Sequence, residues 1–174
     1  MGYFGDASRL EDTGARMQLT LYTDYSLRVL IYLGLKDEGL ATITEISDNY
    51  DISRNHLVKV VHNLSNNGFI HTVRGKGGGM RLAFAPEDIN VGAVVRSTEN
   101  NFNIVECFDR ENSTCPITPV CALKGALKEA SRNFIAVLDR YTLADVLINR
   151  DELAASFKSI KIHEKPPVSG VLHS

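Results

Sequence analysis

Apolar residues recur at steps of three and four through much of this chain, which is the spacing of a helix with one buried face. In "TDYSLRVLIYLGLKDEG" the pattern predicts a helix with Thr23 as its N-cap and Gly39 as its stop. The segment "TITE" is a capping box in which Thr42 and Glu45 can bond each other's backbone, so a second short helix is expected. Ser53 is placed to cap a third helix, whose apolar stripe is Leu57, Val60, Val61 and Leu64.

Beyond Gly68 the apolar period changes to two, which indicates strands. The segments "FIHTVRG" and "MRLAFA" predict two short strands, and the glycine-rich "GKGGG" at 75–79 joins them in a hairpin. The same glycines do not favour a phosphate-binding loop, because the required spacing and the following helix are missing. Three helices followed by a basic hairpin is the layout of a winged helix-turn-helix.

A long helix is expected from Cys121 to about Asp139, after a shorter helix at about 90–98. Its apolar residues alternate steps of four and three, which is typical of the seam between paired helices. The seam residues are Leu123, Leu127, Ala130, Phe134, Val137 and Tyr141. Burial against the same chain is the alternative, since an apolar stripe must be covered somewhere. Beside a winged unit the pattern favours a homodimer, and Thr142 then caps a last short helix in "LADVLIN".

The predicted fold class is mainly α with a small β-hairpin, a winged helix-turn-helix plus a long dimerisation helix. The chain has 174 residues, of which 44% are hydrophobic, and this suits one such domain with an arm. The expected divisions are a flexible leader at 1–16, a winged DNA-binding domain at 17–98, a cysteine loop at 99–122, a dimerisation helix region at 123–150 and a C-terminal tail at 151–174. The Pro-, Gly- and Ser-rich end of the tail, 163–174, is expected to be disordered.

The location expected for the protein is the cytoplasm. No apolar run approaches the roughly eighteen residues of a membrane span, and the first residues lack the apolar core of a secretory signal. In that compartment thiols stay reduced and structural disulfides are rare.

Positive charge is concentrated in one stretch of a chain whose net charge is only −2. Between residues 51 and 81 there are five basic residues and one acidic residue, a local charge of +4. This is the footprint expected for contact with DNA phosphates. The N-terminal part of a recognition helix meets base edges, and a solvated polar face is the alternative for any single residue. The candidate DNA-binding residues are Ser53, Arg54, Asn55, His56 and Lys59 on the helix, with Arg74 and Lys76 on the hairpin.

The stretch "VECFDRENSTCPITPVC", residues 105–121, holds every cysteine of the chain. A disulfide would leave one thiol over, and a structural zinc site normally needs four ligands in closer pairs. Three unrelated free cysteines would be expected in an apolar context, whereas a nucleophilic enzyme would need a base nearby. An iron–sulfur cluster, which takes thiolate ligands, fits better and would need a fourth ligand from elsewhere. From the residues alone these alternatives remain open for Cys107, Cys115 and Cys121.

From Met17 to about residue 150 the chain resembles the dimeric winged-helix iron–sulfur repressors. The resemblance rests on "MQLTLYTDYSLRVLIYL", on "ISRNHLVKVVHNLSNNGFIHTVRGKGGGMRL", on the three cysteines and on "YTLADV". The segments "SRNHLVK", "VRGKGGG" and "CPITPVC" are similar to the nitric-oxide-sensing branch of that family. Another branch uses a histidine three positions after the last cysteine, where this chain has Lys124.

This resemblance implies a homodimeric repressor, not an enzyme, that binds palindromic operator DNA and responds to nitric oxide. It implies a cluster, 4Fe–4S in preference to 2Fe–2S, on Cys107, Cys115 and Cys121, with Asp24 of the partner subunit as the fourth ligand. Asp24 can also complement the dipole of the first helix. The alternatives are a sensor of iron–sulfur supply or redox state in the same family, and a small thiol-redox or metal-binding protein without DNA function.

Overall fold

The computed structural model describes residues 18–36, 39–109 and 111–157, where helices surround one antiparallel hairpin. The predicted leader at 1–16 and the predicted disordered end at 163–174 lie outside these residues. The regular elements are α1 (Leu21–Leu35), α2 (Ile43–Tyr50), α3 (Arg54–Asn66), β1 (Ile70–Val73), β2 (Gly79–Leu82), α4 (Val91–Thr98), α5 (Ala122–Leu138), α6 (Leu143–Val146) and α7 (Arg150–Ala155). None of the described helices is long and apolar enough to cross a membrane.

Helix α1 begins one turn earlier than the sequence predicted. Its N-cap is Thr20, whose Oγ1 accepts a hydrogen bond from the Thr23 backbone N–H at 3.2 Å. The predicted cap, Thr23, is fully buried and donates its hydroxyl to Thr98 Oγ1 at 2.9 Å. Gly39 does not end the helix either, because Lys36 is the C-cap residue. Thr23 therefore does not cap the helix as predicted, because its hydroxyl bonds a residue far away in the sequence.

The helix-turn-helix follows the predicted caps. Thr42 and Glu45 form the capping box of α2, and Ser53 caps α3. Helix α3 ends in a Schellman motif, where the Phe69 N–H donates to Leu64 O at 2.9 Å and Gly68 has a φ of 76°. The buried residues of α3 are the predicted stripe, Leu57, Val60, Val61 and Leu64.

The hairpin is the wing of the domain, with Ile70 paired to Leu82 and Val73 paired to Gly79. Its second strand also bonds the segment before α2, because the Met80 N–H donates to Ala41 O at 2.7 Å. A Cβ on Gly79 would lie 2.5 Å from that same carbonyl oxygen, so the close approach requires glycine. The wing is thus fixed to the helical core along one edge.

The end of the described chain returns to α1, which the sequence did not predict. Arg150 donates to Gly34 O at 2.7 Å and to Leu35 O at 2.8 Å, so it satisfies carbonyls at the C-terminus of α1. The Phe157 ring packs edge-on against Tyr32 and Tyr50, with centroids 5.3 and 5.0 Å apart. The predicted boundary at 151 therefore falls inside a short helix, α7, that packs on the winged unit.

Helix α5 has the predicted bounds and is joined to the winged unit at its C-terminal end. Asn90 donates its side-chain amide to Asp139 O at 2.7 Å, and Arg96 pairs with the Asp139 carboxylate at 2.7 Å. None of the residues of α5, all of which are described, is buried within this chain. The part of the chain that the structure describes therefore does not bury the predicted seam.

Candidate DNA interface and cysteine loop

The seven residues predicted to bind DNA are all solvent-exposed. Five of them stand at the start of α3, where the Ser53 hydroxyl accepts the His56 N–H at 3.4 Å and begins the helix. Because the apolar stripe of α3 faces the core, the polar side chains of its first turns face outward. Arg54 lies 3.9 Å from Asp48, but both side chains are more than half exposed, so this ion pair restrains the arginine weakly.

The wing carries the remaining two candidates, Arg74 and Lys76, in the loop between its strands. This loop turns through Gly75 and Gly77, whose φ angles are 101° and 79°, a conformation that favours glycine. The structure thus presents basic side chains both on α3 and at the tip of the hairpin. These are the two elements with which winged domains contact DNA. Their charges suit phosphate oxygens.

Two tyrosines of α1 contact the recognition helix and were missed by the sequence reasoning. The Tyr22 hydroxyl donates to the backbone carbonyl of Lys59 at 3.1 Å. The Tyr25 ring lies 6.0 Å from the His56 ring, centroid to centroid, with a tilt of 35°. The available signal was their spacing, since residues three apart share a helix face.

The three cysteines lie in the segment between α4 and α5, and each is a free, partly exposed thiol. Cys107 is in a short 3-10 turn at Glu106–Phe108, and Cys121 is the N-cap residue of α5, where its side chain makes no capping bond. Among the described residues no three His, Cys, Asp or Glu side chains are gathered closely enough to hold a metal ion. The single chain therefore presents the donors without a preformed metal site in its described part.

Two carboxylates hold the first half of the cysteine loop in shape. Glu106 accepts the backbone N–H of Thr114 and, at 2.9 Å, its hydroxyl, and these bonds lower the pKa of Glu106. Asp109 accepts the Asn112 side-chain amide at 2.8 Å and the Glu111 N–H at 3.1 Å, which lowers the pKa of Asp109. Both groups are ionised at neutral pH, so the loop is ordered by charge-assisted hydrogen bonds.

Asp24, the predicted fourth ligand, is in the first turn of α1 and pairs with Arg28 at 2.8 Å. Its side chain is 40% exposed, so another group can reach the carboxylate. The Arg28 guanidinium also lies over the Tyr50 ring, 5.8 Å from its centroid. Burial is the largest cause of the raised pKa of Tyr50, which is about 12. Among the described residues, Asp24 belongs to no group of three or more side chains that could hold a metal ion.

An apolar cavity of about 880 Å³ lies between the seam of α5 and the start of the cysteine loop. Leu127, Ala130 and Phe134 of the seam line it together with Phe102 and Ile104 of the loop. The middle of the seam thus shares a cavity with the loop of its own chain. Its ends, Leu123 and Tyr141, remain 64% and 48% exposed.

Comparisons with known proteins agree with this architecture. The family model "Rrf2: Iron-dependent Transcriptional regulator" matches residues 19–149. The chain is 52% identical over 143 residues to the HTH-type transcriptional regulator NsrR of Bacillus subtilis, covering 82% of this chain and 98% of that protein. The identity and both coverages are the same for NsrR of Halalkalibacterium halodurans. The solved structure of T. potens IscR has a TM-score of 0.63 at 24% identity, covering 79% of this chain and 90% of that one, which supports the fold.

These findings confirm the predicted winged-helix fold and the resemblance on which the sequence argument relied. The relatives are transcriptional regulators and not enzymes, so a thiol-redox protein without DNA function is the wrong alternative. Because the family model matches 131 residues and about half of the 143 aligned positions are identical to NsrR, the chain belongs to the Rrf2 family of transcriptional regulators.

Proposed function

We propose that this regulator is a nitric-oxide-responsive repressor that binds palindromic operator DNA as a homodimer and holds an iron–sulfur cluster on Cys107, Cys115 and Cys121. One observation carries the proposal. All the cysteines of a chain that is 52% identical to NsrR are free, partly exposed thiols in a single loop between the DNA-binding unit and α5. The nitric-oxide input follows from the similarity to the nitric-oxide-sensing branch, and 4Fe–4S is favoured over 2Fe–2S.

The donor set fits such a cluster. Thiolates are the ligands that iron–sulfur clusters take from proteins, and the thiols of this loop have no disulfide partner. Cys121 is the N-cap residue of α5, and its side chain makes no capping bond that ligation would have to break. When bound, the cluster would supply iron that reacts with nitric oxide. The loop must draw its three thiols together on loading, since the described chain does not hold them in a metal-binding geometry.

Asp24 of the partner subunit is proposed as the fourth ligand. A carboxylate oxygen is a harder ligand than a thiolate and suits iron less well, so it is the ligand most easily exchanged. In this chain Asp24 is half-exposed in the first turn of α1, and Arg28 on the same helix offers it an alternative partner at 2.8 Å. Ligation across the dimer would make the sensing site and the subunit interface one structure.

The seam of α5 supplies the proposed dimer contact, and the two recognition helices would then meet successive major grooves. Helix-turn-helix dimers read half-sites about 34–36 Å apart. A small rotation of one subunit against the other therefore spoils the register without unfolding either domain. Exposed Arg54 and Asn55 at the start of α3 are proposed to contact bases, and Lys76 on the wing to contact phosphate.

The test begins with anaerobic purification, followed by iron and sulfide analysis and by operator binding before and after a nitric-oxide donor. The loaded protein is expected to bind the operator and to release it on exposure to the donor. Cys115→Ala should abolish stable cluster binding, whereas Ser113→Ala in the same loop is the matched control and should retain it. Full iron and sulfide in a variant that lacks all three cysteines would contradict the cluster site. A loaded protein that responds to iron supply or oxidation but not to nitric oxide would support the alternative sensor.

Mixed dimers test the position of Asp24. One chain carries Cys107→Ala, so the dimer keeps a single cluster on the cysteines of the other chain. Asp24→Ala placed in the Cys107→Ala chain should change the absorbance and nitric-oxide reactivity of that cluster, and the same change in the cysteine-complete chain should not. The opposite pattern would mean ligation within one chain. Arg28→Gln is the matched control, since it breaks the same ion pair and leaves the carboxylate in place.

A further inference from the structure

Helices α1 and α3 are joined by two contacts that repeat at the same interval on each helix. Tyr22 and Tyr25 are three residues apart on α1, and their partners on α3, Lys59 and His56, are also three residues apart. Residues at this interval stand one above the other on a helix face. The earlier tyrosine meets the later residue of α3, so the two helix segments run in opposite directions where they touch. These two contacts thus fix both the position of α3 along the axis of α1 and its rotation against α1.

Both partners on α3 are exposed residues on the surface proposed to contact DNA. The Tyr22 hydroxyl bonds the backbone at Lys59, so it positions the helix rather than one side chain. The Tyr25 ring contacts His56 itself and thereby limits where that imidazole can point.

Asp24 stands between the two tyrosines in the sequence but uses a different face of α1. Its carboxylate is directed along the helix to Arg28, whereas the tyrosines contact α3. One helical turn therefore carries the proposed cluster ligand on one face and both contacts to the recognition helix on another. A rigid helix that moves at Asp24 must move both tyrosines with it.

We propose that Tyr22 and Tyr25 are positioning residues that hold the base-contacting face of α3 in register and transmit a displacement of α1 at Asp24 to it. The inference rests on the proposed function and deepens it, because it names the contacts by which the ligation state of the cluster reaches DNA. Both rings also pack against the hydrophobic core, so a purely structural role is the competing explanation.

Two tyrosine-to-phenylalanine changes form a matched pair with opposite expectations. Tyr22→Phe removes only the hydroxyl that bonds Lys59, whereas Tyr25→Phe removes a hydroxyl that bonds none of the described residues and keeps the ring. Tyr25→Leu removes the ring contact with His56. Each variant is measured, with and without its cluster, by fluorescence anisotropy on a duplex selected by the wild type from a random pool and on a scrambled duplex.

Tyr22→Phe and Tyr25→Leu are expected to lower the preference of the loaded protein for the selected duplex by roughly two- to tenfold, the worth of one hydrogen bond or ring contact. Affinity for the scrambled duplex should stay within about twofold, because phosphate attraction is unchanged. Tyr25→Phe should behave as the wild type. The difference in operator affinity between the loaded and cluster-free protein should shrink in Tyr22→Phe and Tyr25→Leu only.

The outcomes separate this inference from the proposed function. If the variants weaken binding to both duplexes equally and unfold at a lower temperature, the tyrosines are only structural and the proposal is overturned. If the variants keep the wild-type difference in operator affinity between loaded and cluster-free protein, the tyrosines do not transmit the signal, although the proposed function stands. Equal operator binding by loaded and cluster-free wild type would overturn the proposed function itself. Tyr22→Phe keeps the test decisive even if Tyr25→Leu does not fold.

Discussion

Leu123 offers the sharpest test of the proposed dimer, because it is 64% exposed in the single chain and stands on the predicted seam. Fully burying a leucine side chain contributes roughly 1.5–3 kcal/mol. Burying the exposed part of the Leu123 side chain in the dimer then contributes roughly 1–2 kcal/mol in each protomer. Both copies contribute in a two-fold dimer, so the total is roughly 2–4 kcal/mol. Leu123→Gln should therefore weaken dimerisation by about 30- to 1,000-fold, at about 1.4 kcal/mol per factor of ten.

Glutamine is chosen because its helix propensity is close to that of leucine, so α5 itself should persist. Arg132→Gln is the control, since it introduces the same residue on the opposite, exposed face of α5. Sedimentation velocity over a dilution series of cluster-free protein measures both dimer constants, and circular dichroism checks the helix content. If Leu123→Gln and Arg132→Gln dimerise as tightly as the wild type, the seam does not form the interface.

The remaining predictions concern the DNA surface and the cysteine loop. Arg54→Ala should reduce discrimination between operator and random duplex by about 1–3 kcal/mol if the arginine bonds a guanine in two places, whereas Lys76→Ala should weaken all duplexes alike and lower the salt slope by about one unit. Binding titrations at several salt concentrations check both, and unchanged operator affinity in the two variants would assign DNA binding to another surface. Glu106→Ala should speed hydrogen exchange at the Thr114 amide, because the Thr114 N–H donates a hydrogen bond to the Glu106 carboxylate in the wild type. Because folding lowers the pKa of Glu106, the wild-type contact is present above the ordinary glutamate pKa and lost as the pH falls through the lower native value, so wild type and variant should converge in acid. Equal exchange in the two proteins at neutral pH would show that the contact does not order the loop.

The sequence was most informative where structure depends on neighbours along the chain. The capping box at Thr42, the cap at Ser53 and the Gly68 terminus of α3 are each set by residues within one turn. The hairpin and the bounds of α5 were likewise predicted from period and composition. The basic face of α3 could be located because its apolar stripe fixes which side chains are left for solvent.

Predictions were incomplete where the deciding partner lies far away in the sequence. Thr23 has the composition of a cap, but its hydroxyl bonds Thr98, and no local pattern reveals that contact. Helix α7 has six residues, too few for stability alone, and is held by the bonds of Arg150 to α1. The contacts of Tyr22 and Tyr25 depend on how α1 crosses α3. The cluster ligands proposed from the resemblance remain a prediction.

The length of α5 explains why a cysteine at its start would be accessible to another subunit. Asn90, the N-cap of α4, bonds Asp139 at the end of α5, whereas Phe102, beyond the C-terminus of α4, lies near the middle of α5. Helix α5 therefore runs back along α4 in the opposite direction. Helix α4 has 8 residues and α5 has 17, which correspond to about 12 and 25 Å. The start of α5 therefore projects beyond α4, and the loop must follow it outward to reach Cys121. A group on this projecting end is displaced from the winged unit of its own chain and accessible to a second copy that packs along the same helix. If the partner's Asp24 is the fourth ligand, as proposed, the cluster would connect the two subunits at this projecting end, and release of that ligand would allow them to rotate against each other.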